Sequence, residues 1–271
     1  MGFRELLSRK VSIPNPELLP KGYQEIGDII VLRLKPVHEP YEEEIAKAVH
    51  ELTGKRVAIW KKVKGELRKP EIKVYFGDGV TIKKEHGCAF KLDITKVMYS
   101  KGNVGEKERL LNLVKPGEKI LDMFAGIGYF SIILAKHKNV TIHAIEKNID
   151  AYFFLVENIY LNHLTNITPL LGDNREIVPL LKQRGESYDR ILMGYLPSSQ
   201  EFLDYALMVA EDTVIHLHQV LKKEEIEHFK THIISKIEKK HFSAEILATR
   251  IVKSYAPHRY HIVFDIKVTK T

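Results

Sequence analysis

Cysteine and tryptophan occur once each in these 271 residues, as Cys88 and Trp60. A lone cysteine excludes an internal disulfide and any cysteine-built zinc site. Long apolar runs are missing as well. The best stretch, Ile120 to Ala135, is interrupted by Asp122, Gly126 and Gly128, and falls short of the ~18 residues that a spanning helix needs. The opening string MGFRELLSRK has no apolar core behind its first charge, so no secretory leader is expected. There is no internal repeat or low-complexity tract to suggest a solenoid or a linker. Together these absences lead to the expectation of a soluble, cytoplasmic protein with no membrane partner. With 44% hydrophobic and 28% charged residues the chain can bury a sizeable core. Its length suits one large domain with a smaller companion.

The charge balance is +7, which admits a polyanionic partner without requiring one. Locally the pattern is sharper. Between Lys55 and Lys73 eight basic residues (Lys55, Arg56, Lys61, Lys62, Lys64, Arg68, Lys69, Lys73) face two acidic ones, Glu66 and Glu71, with Trp60 interleaved and Tyr75 following. Such a stretch suits nucleic-acid phosphates, and it also suits the solvated face of a strand pair.

The first third reads as a small α+β unit. Gly27 to Pro36 is a β-rich run, Tyr41 to Lys55 has helical spacing with Gly54 at a C-cap position, and three short strand patterns follow, with turns at Gly77-Asp78-Gly79 and His86-Gly87. From Pro116 onward strand, glycine turn and helix alternate, which predicts parallel strands joined by crossover helices in a doubly wound sheet. The last two β runs, joined by Ala256-Pro257-His258, predict an antiparallel pair. The expected fold class is therefore α/β: a Rossmann-like sheet of the kind seen in class I S-adenosylmethionine (SAM) transferases, finished by an antiparallel strand pair. The expected boundaries are 1–95 for the small domain, 96–112 for a linker and 113–271 for the catalytic domain.

The most informative cluster is Asp122-Met-Phe-Ala-Gly126-Ile-Gly128-Tyr-Phe-Ser131, where a strand turns into a helix. Glycines there permit a tight turn and close backbone approach to a ligand. The next strand ends in Glu146, placed to accept hydrogen bonds from ribose hydroxyls, and the third ends at Asp173. Three acids at three successive strand ends point to a bound nucleotide. The turn is one residue short of the dinucleotide fingerprint, which leaves an NAD enzyme as an alternative. Asp122 favours SAM, because an acid directly before the turn would repel a pyrophosphate but suits an ammonium and a sulfonium.

These residues resemble the archaeal and eukaryotic tRNA (guanine-37) N1-methyltransferases and their relatives, the wybutosine-synthesis transferases. The likeness runs from about Pro20 almost to the end. Four strings are similar to the wybutosine branch: Ser100-Lys101-Gly102-Asn103-Val104-Gly105-Glu106-Lys107, Ala125 to Phe130, Gly172-Asp173-Asn174-Arg175, and Gly194-Tyr195-Leu196-Pro197-Ser198-Ser199. The last places Tyr195 where the methyltransferases have asparagine.

The resemblance implies transfer of the 3-amino-3-carboxypropyl arm of SAM to carbon 7 of 4-demethylwyosine at nucleotide 37, in the anticodon loop of tRNA(Phe). The expected enzyme is a monomer, and tRNA guanine-37 N1-methylation is the alternative reaction. A non-catalytic tRNA-binding module is the third possibility. It further implies a donor site of Ser100, Lys107, Asp122, Phe124, Gly126, Gly128, Glu146, Lys147, Asp173 and Asn174. Glu106, Tyr195 and Pro197 are the expected catalytic positions: Glu106 to orient substrate or collect a proton, Tyr195 to stack on the target base. His216 with His218, and His228 with His232, invite a metal reading. No Asp or Cys completes either pair in the sequence pattern, so no metal is expected.

Overall fold

The computed structural model describes residues 2–66, 69–99 and 104–271, and Arg68 and Ser100 lie outside them. The chain forms two compact units, Met1–Tyr99 and Ser100–Thr271. In the first, α1 (Phe3–Ser8) precedes β1 (Gln24–Ile26), β2 (Ile29–Leu32), α2 (Glu42–Thr53), β3 (Arg56–Lys64) and β4 (Lys69–Tyr75). The sheet order is β1-β2-β3-β4. Because β2 and β3 run parallel, α2 is the crossover between them, and Gly54 ends it in the left-handed conformation at φ 68°. A separate hairpin pairs β5 (Val80–Glu85) with β6 (Cys88–Asp93). Its two-residue turn is His86-Gly87, both at positive φ, as a tight hairpin requires.

The basic stretch lies on β3 and β4, and much of its charge is already balanced. Arg56 donates to Asp28 (2.7 and 2.9 Å) and to Asp78 (2.6 Å), while Lys55 pairs with Glu25 (2.6 Å) and Lys64 with Glu71 (2.6 Å). Lys61 pairs with Glu42. Arg33 covers the Trp60 ring at 3.9 Å, and Lys73 lies over Tyr75.

The second unit starts with α3 (Val104–Leu113). It continues β7 (Lys119–Asp122), α4 (Ser131–His137), β8 (Thr141–Glu146), α5 (Ile149–Leu161), β9 (Ile167–Leu171) and α6 (Asn174–Gln183). Then come β10 (Arg190–Met193), α7 (Leu203–Met208), β11 (Asp212–Leu221), α8 (Ile226–Glu238), β12 (Phe242–Ala256) and β13 (Arg259–Lys270). These strands form a seven-stranded sheet of order β12-β13-β11-β10-β7-β8-β9. The five strands from β11 to β9 are parallel, and β13 and β12 are antiparallel additions. From β7 the chain winds outward through β8 and β9, then returns to the other side of β7 for β10 and β11. The reversal opens a crevice at the carboxyl end of β7, where ligands of such sheets bind. Asp122 ends that strand.

Side-chain alternation decides what each face of the sheet carries. On one face Ile191, Met193, Ile215, Leu217, Ile262, Phe264, Ile266 and Val268 enter the main apolar core under α6, α7 and α8. On the other, the register aligns His216 with Asp265 and places both beside Arg190 of β10. That polar face lies beneath α3. No helix among the described residues is long and apolar enough to cross a membrane.

Candidate active site

The turn after β7 is built by backbone hydrogen bonds to both neighbouring strands. The Met123 amide donates to the Leu192 carbonyl (3.0 Å), and the Ala125 amide to that of Ile145 (2.9 Å). Gly126 and Gly128 sit at φ +58° and +93°, which other residues rarely adopt. A Cβ at Gly126 would overlap the Tyr129 ring, and one at Gly128 would overlap Ile132 and crowd Leu155. Gly128 is thus required by helix packing as well as by the turn.

Glu146, at the end of β8, accepts from the Gly126 amide (2.7 Å) and the Asn148 amide (2.7 Å), one on each oxygen. A carboxylate has about four acceptor positions, so each oxygen can take a further donor. Burial pushes its pKa up, against the pull of those amides. Asp122 is 1% exposed. It accepts from Ser131 Oγ (2.6 Å) and the Phe124 amide (3.3 Å), and burial pushes its pKa up to about 6. Asp122, expected at the ligand, is thus an enclosed carboxyl that braces the turn.

Asp173 is the N-cap of α6, where its side chain accepts from the Arg175 amide (2.9 Å). It also pairs with Lys147 (3.0 Å), so two residues expected at the ligand bind each other. Burial would raise the Asp173 pKa, but the Arg175 amide and Lys147 outweigh it and hold it low. Asn174 is buried, and its amide nitrogen donates to the Met123 carbonyl (2.5 Å) while Oδ1 is buried with no hydrogen-bond partner. An orphaned acceptor in this position fits an amino group of a bound nucleobase.

Phe124 stacks on Tyr195 with centroids 5.2 Å apart, and both meet Phe202 edge-on. The Arg175 guanidinium covers the Phe202 ring at 5.2 Å. One face of Tyr195 is therefore taken by Phe124. The loop after β10 is anchored to β11, since the Ser199 amide donates to the His218 carbonyl (3.2 Å) and the Val220 amide to that of Pro197 (2.9 Å). Pro197 itself is exposed. Phe202 and Arg175 carry no motif that would single them out beforehand.

Lys107 and Glu106 lie in the first turn of α3, and both are buried. The Lys107 ammonium is 5.9 Å from the Tyr129 ring centroid, beside the glycine turn. Glu106 is 0% exposed, and the Arg109 fork engages both its oxygens, at 2.9 and 2.6 Å. Glu106, expected to orient substrate or collect a proton, is thus enclosed, with both oxygens taken by the Arg109 guanidinium. Arg109 also binds Asp265 (2.9 Å), which accepts from His216 Nδ1 (2.7 Å). Arg190 then donates to His216 Nε2 (2.6 Å) and to Glu118 (2.7 and 2.9 Å).

An arginine can only donate, so His216 Nε2 is an acceptor, the proton is on Nδ1 and the ring is neutral. Burial lowers the His216 pKa in agreement, with Asp265 opposing. Asp265 is held well below the usual carboxylate range, because hydrogen bonds from His216 and Arg109 outweigh the effect of burial. His218 is taken up by His261 at 2.9 Å. His228 and His232 are exposed on α8. Among the described residues no group of three or more metal-ligating side chains occurs.

The pKa of Asp122 sets a pH dependence. With an ordinary value of 3.8 and a folded value of about 6, the folded chain keeps a proton that the unfolded chain has released between about pH 4 and 6. The resulting stability is full below about pH 4 and is lost as the pH rises through 6. Asp122→Asn is expected to remove this component, so that the variant gains on wild type in urea midpoint between about pH 4 and 7. A difference that does not change with pH would contradict the assignment.

Comparison with known proteins places these features in a family. The model of the TRM5/TYW2 methyltransferase domain matches residues 81–247, and that of the TYW2 N-terminal domain matches residues 3–80. The tRNA(Phe) (4-demethylwyosine(37)-C(7)) aminocarboxypropyltransferase of Pyrococcus horikoshii is 38% identical over 279 residues, covering 99% of this chain and 96% of that one. The crystal structure of P. horikoshii TYW2 in complex with MeSAdo superposes with a TM-score of 0.84 at 34% identity, over 99% of this chain and 98% of that one. M. jannaschii TYW2 in complex with AdoMet gives a TM-score of 0.73 at 32% identity, over 92% and 100%. Matched along both units, the chain belongs to the TRM5/TYW2 family, on its TYW2 branch.

Proposed function

We propose that this chain transfers the 3-amino-3-carboxypropyl group of SAM to carbon 7 of 4-demethylwyosine at nucleotide 37 of tRNA(Phe). The observation that carries this reading is the 38% identity with an enzyme of that activity, spanning 99% of this chain and 96% of the relative. The TYW2 N-terminal match over residues 3–80 supports it over guanine N1-methylation.

The residues of the crevice fit the donor. Glu146 retains acceptor capacity beyond the Gly126 and Asn148 amides, which suits ribose hydroxyls. The orphaned Oδ1 of Asn174 suits the adenine amino group. Phe124 provides an apolar wall, and Lys147 with Asp173 closes the rim. The ammonium of Lys107, beside Tyr129, suits the carboxylate of the amino-acid arm, and Ser100, outside the described residues, is proposed for the donor site from its sequence string alone. Carbon 7 attacks the methylene next to sulfur, the C–S pair stays on sulfur to leave methylthioadenosine, and the ring proton passes to water. An electron-rich ring carbon needs little base assistance before attack, in keeping with a Glu106 that is fully engaged by Arg109. What the protein supplies is alignment of one carbon of three with the nucleophile. Pro197 and Tyr195, at the carboxyl end of β10, are assigned to the target base, with Tyr195 held upright by Phe124.

The anticodon loop is the assigned RNA target, and the chain acts as a monomer. The basic strands of the first unit contribute through the field that remains after internal pairing.

Incubation with SAM and tRNA carrying 4-demethylwyosine is expected to yield methylthioadenosine, whereas S-adenosylhomocysteine would indicate the methyltransferase instead. Glu146→Ala should weaken SAM binding in calorimetry by at least tenfold, about 1.4 kcal/mol, and unchanged affinity would remove Glu146 from the site. Sedimentation of the chain with tRNA should show one protein per tRNA at low salt and a loss of complex at moderate salt. A dimer, or a complex indifferent to salt, would contradict this.

A further inference from the structure

Helix α3 is ten residues long, and its buried residues are Glu106, Lys107 and Leu110. Only one of these three is apolar, with Leu111 half-buried and Val114 buried just past the end. Apolar packing is non-directional, so these contacts fix the position of the helix along its axis less sharply than directional bonds do. What fastens it is ionic. At its first turn, Glu106 binds Arg109, and Arg109 reaches across to Asp265 on β13. Asp265 is braced by His216 on β11, and His216 by Arg190 on β10. Arg190 then closes on Glu118, beyond the other end of α3, and on the Leu113 carbonyl (3.4 Å) in its last turn. The middle of the helix, through Arg109, and its last turn, through the Leu113 carbonyl, are thus held to β13 and β10 by directional bonds, with His216 of β11 bridging Asp265 and Arg190.

The charges nearly cancel. Glu106, Asp265 and Glu118 are negative, Arg109 and Arg190 positive and His216 neutral, while Arg250 comes within 3.9 Å of Glu106 from the exposed side. Buried ionic sets of this kind contribute little net stability compared with apolar residues of equal volume. Their distinguishing property is that each bond fixes a direction. In this chain the residue next to Glu106 is Lys107, buried at the glycine turn.

We propose that Arg109 and Asp265 are positioning residues that set the first turn of α3, so that Lys107 holds the amino-acid arm of the donor and presents that arm for transfer. This rests on the reading of the protein as an aminocarboxypropyl transferase. A shift of about 1 Å in α3 would leave the adenosine end in place but release the arm, and misplacement on that scale costs about a hundredfold in a reaction governed by alignment.

Methylthioadenosine lacks the arm, so binding alone can test the device. Asp265→Asn keeps the shape and removes the charge that Arg109 requires. Asp212→Asn breaks an ion pair with Lys267 outside this network and serves as the control for lost stability. Calorimetry should show SAM affinity at least tenfold weaker in Asp265→Asn with methylthioadenosine affinity unchanged, and Asp212→Asn should affect neither. In turnover, Asp265→Asn should make methylthioadenosine at least tenfold more slowly, with S-adenosylhomocysteine a larger share of product. If both ligands weaken together, or neither does, the network is structural only and the proposal fails. Should Asp265→Asn not fold, Arg109→Lys keeps the charge, loses the fork and is read by the same two affinities. A wild-type chain that binds SAM but forms only S-adenosylhomocysteine would overturn the functional reading, while the arm-dependent difference in affinity would still decide the positioning role.

Discussion

A buried carboxylate must be paired, and Asp265 is paired twice. It lies on β13 at a position where strand alternation turns it away from the main apolar core, and the register sets His216 beside it. Arg109 completes the pairing from α3. From this one requirement follow the Nδ1–H tautomer of His216 and the seating of α3 on the sheet, while burial and Arg190 at Nε2 keep the ring neutral. The antiparallel β13 is therefore more than an edge extension of the parallel sheet: it supplies the anchor for the helix that carries Glu106 and Lys107.

The crevice itself is made by topology. Reversal of winding at β7 separates the helices on either side, and the chain fills the opening with a turn whose amides answer to neighbouring strands. Glu146 ties the turn to β8 through Gly126, and Asn174 ties it to α6 through the Met123 carbonyl. The turn is flanked by a carboxylate, Glu146, with spare acceptor positions and by an amide oxygen, Asn174 Oδ1, that is desolvated without a partner.

Much of this was legible in the residues because the relevant interactions are local. The strand and helix alternation, the glycine turn and the three strand-end acids depend on neighbours a few positions apart, where periodicity and turn chemistry act. Asp173 is at once a strand-end acid and the cap of α6, and its sequence context suits either role. Gly128 reads as a ligand-approach glycine, and Ile132 four residues on already crowds it, while Leu155 on another helix adds a constraint that no local pattern reveals. The basic stretch of β3 and β4 likewise read as a field of positive charge. Partners as distant in sequence as Asp28 for Arg56 draw much of it inward.

The sequence by itself determined the class of the sheet, the place of the crevice and the family, since these are written in short-range spacing and in strings of adjacent residues. Only the tertiary structure shows which groups Glu106 and its neighbours are bonded to. Arg109 and Asp265 are 156 residues apart, and His216 and Asp265 are 49 apart. The trace that His216 and Asp265 leave in the sequence is a charged or polar residue inside an otherwise apolar strand, and Arg109 leaves none. Which of those residues meet depends on strand order and register, and electrostatic pairing in a buried layer is settled by proximity in space, which chain spacing does not encode.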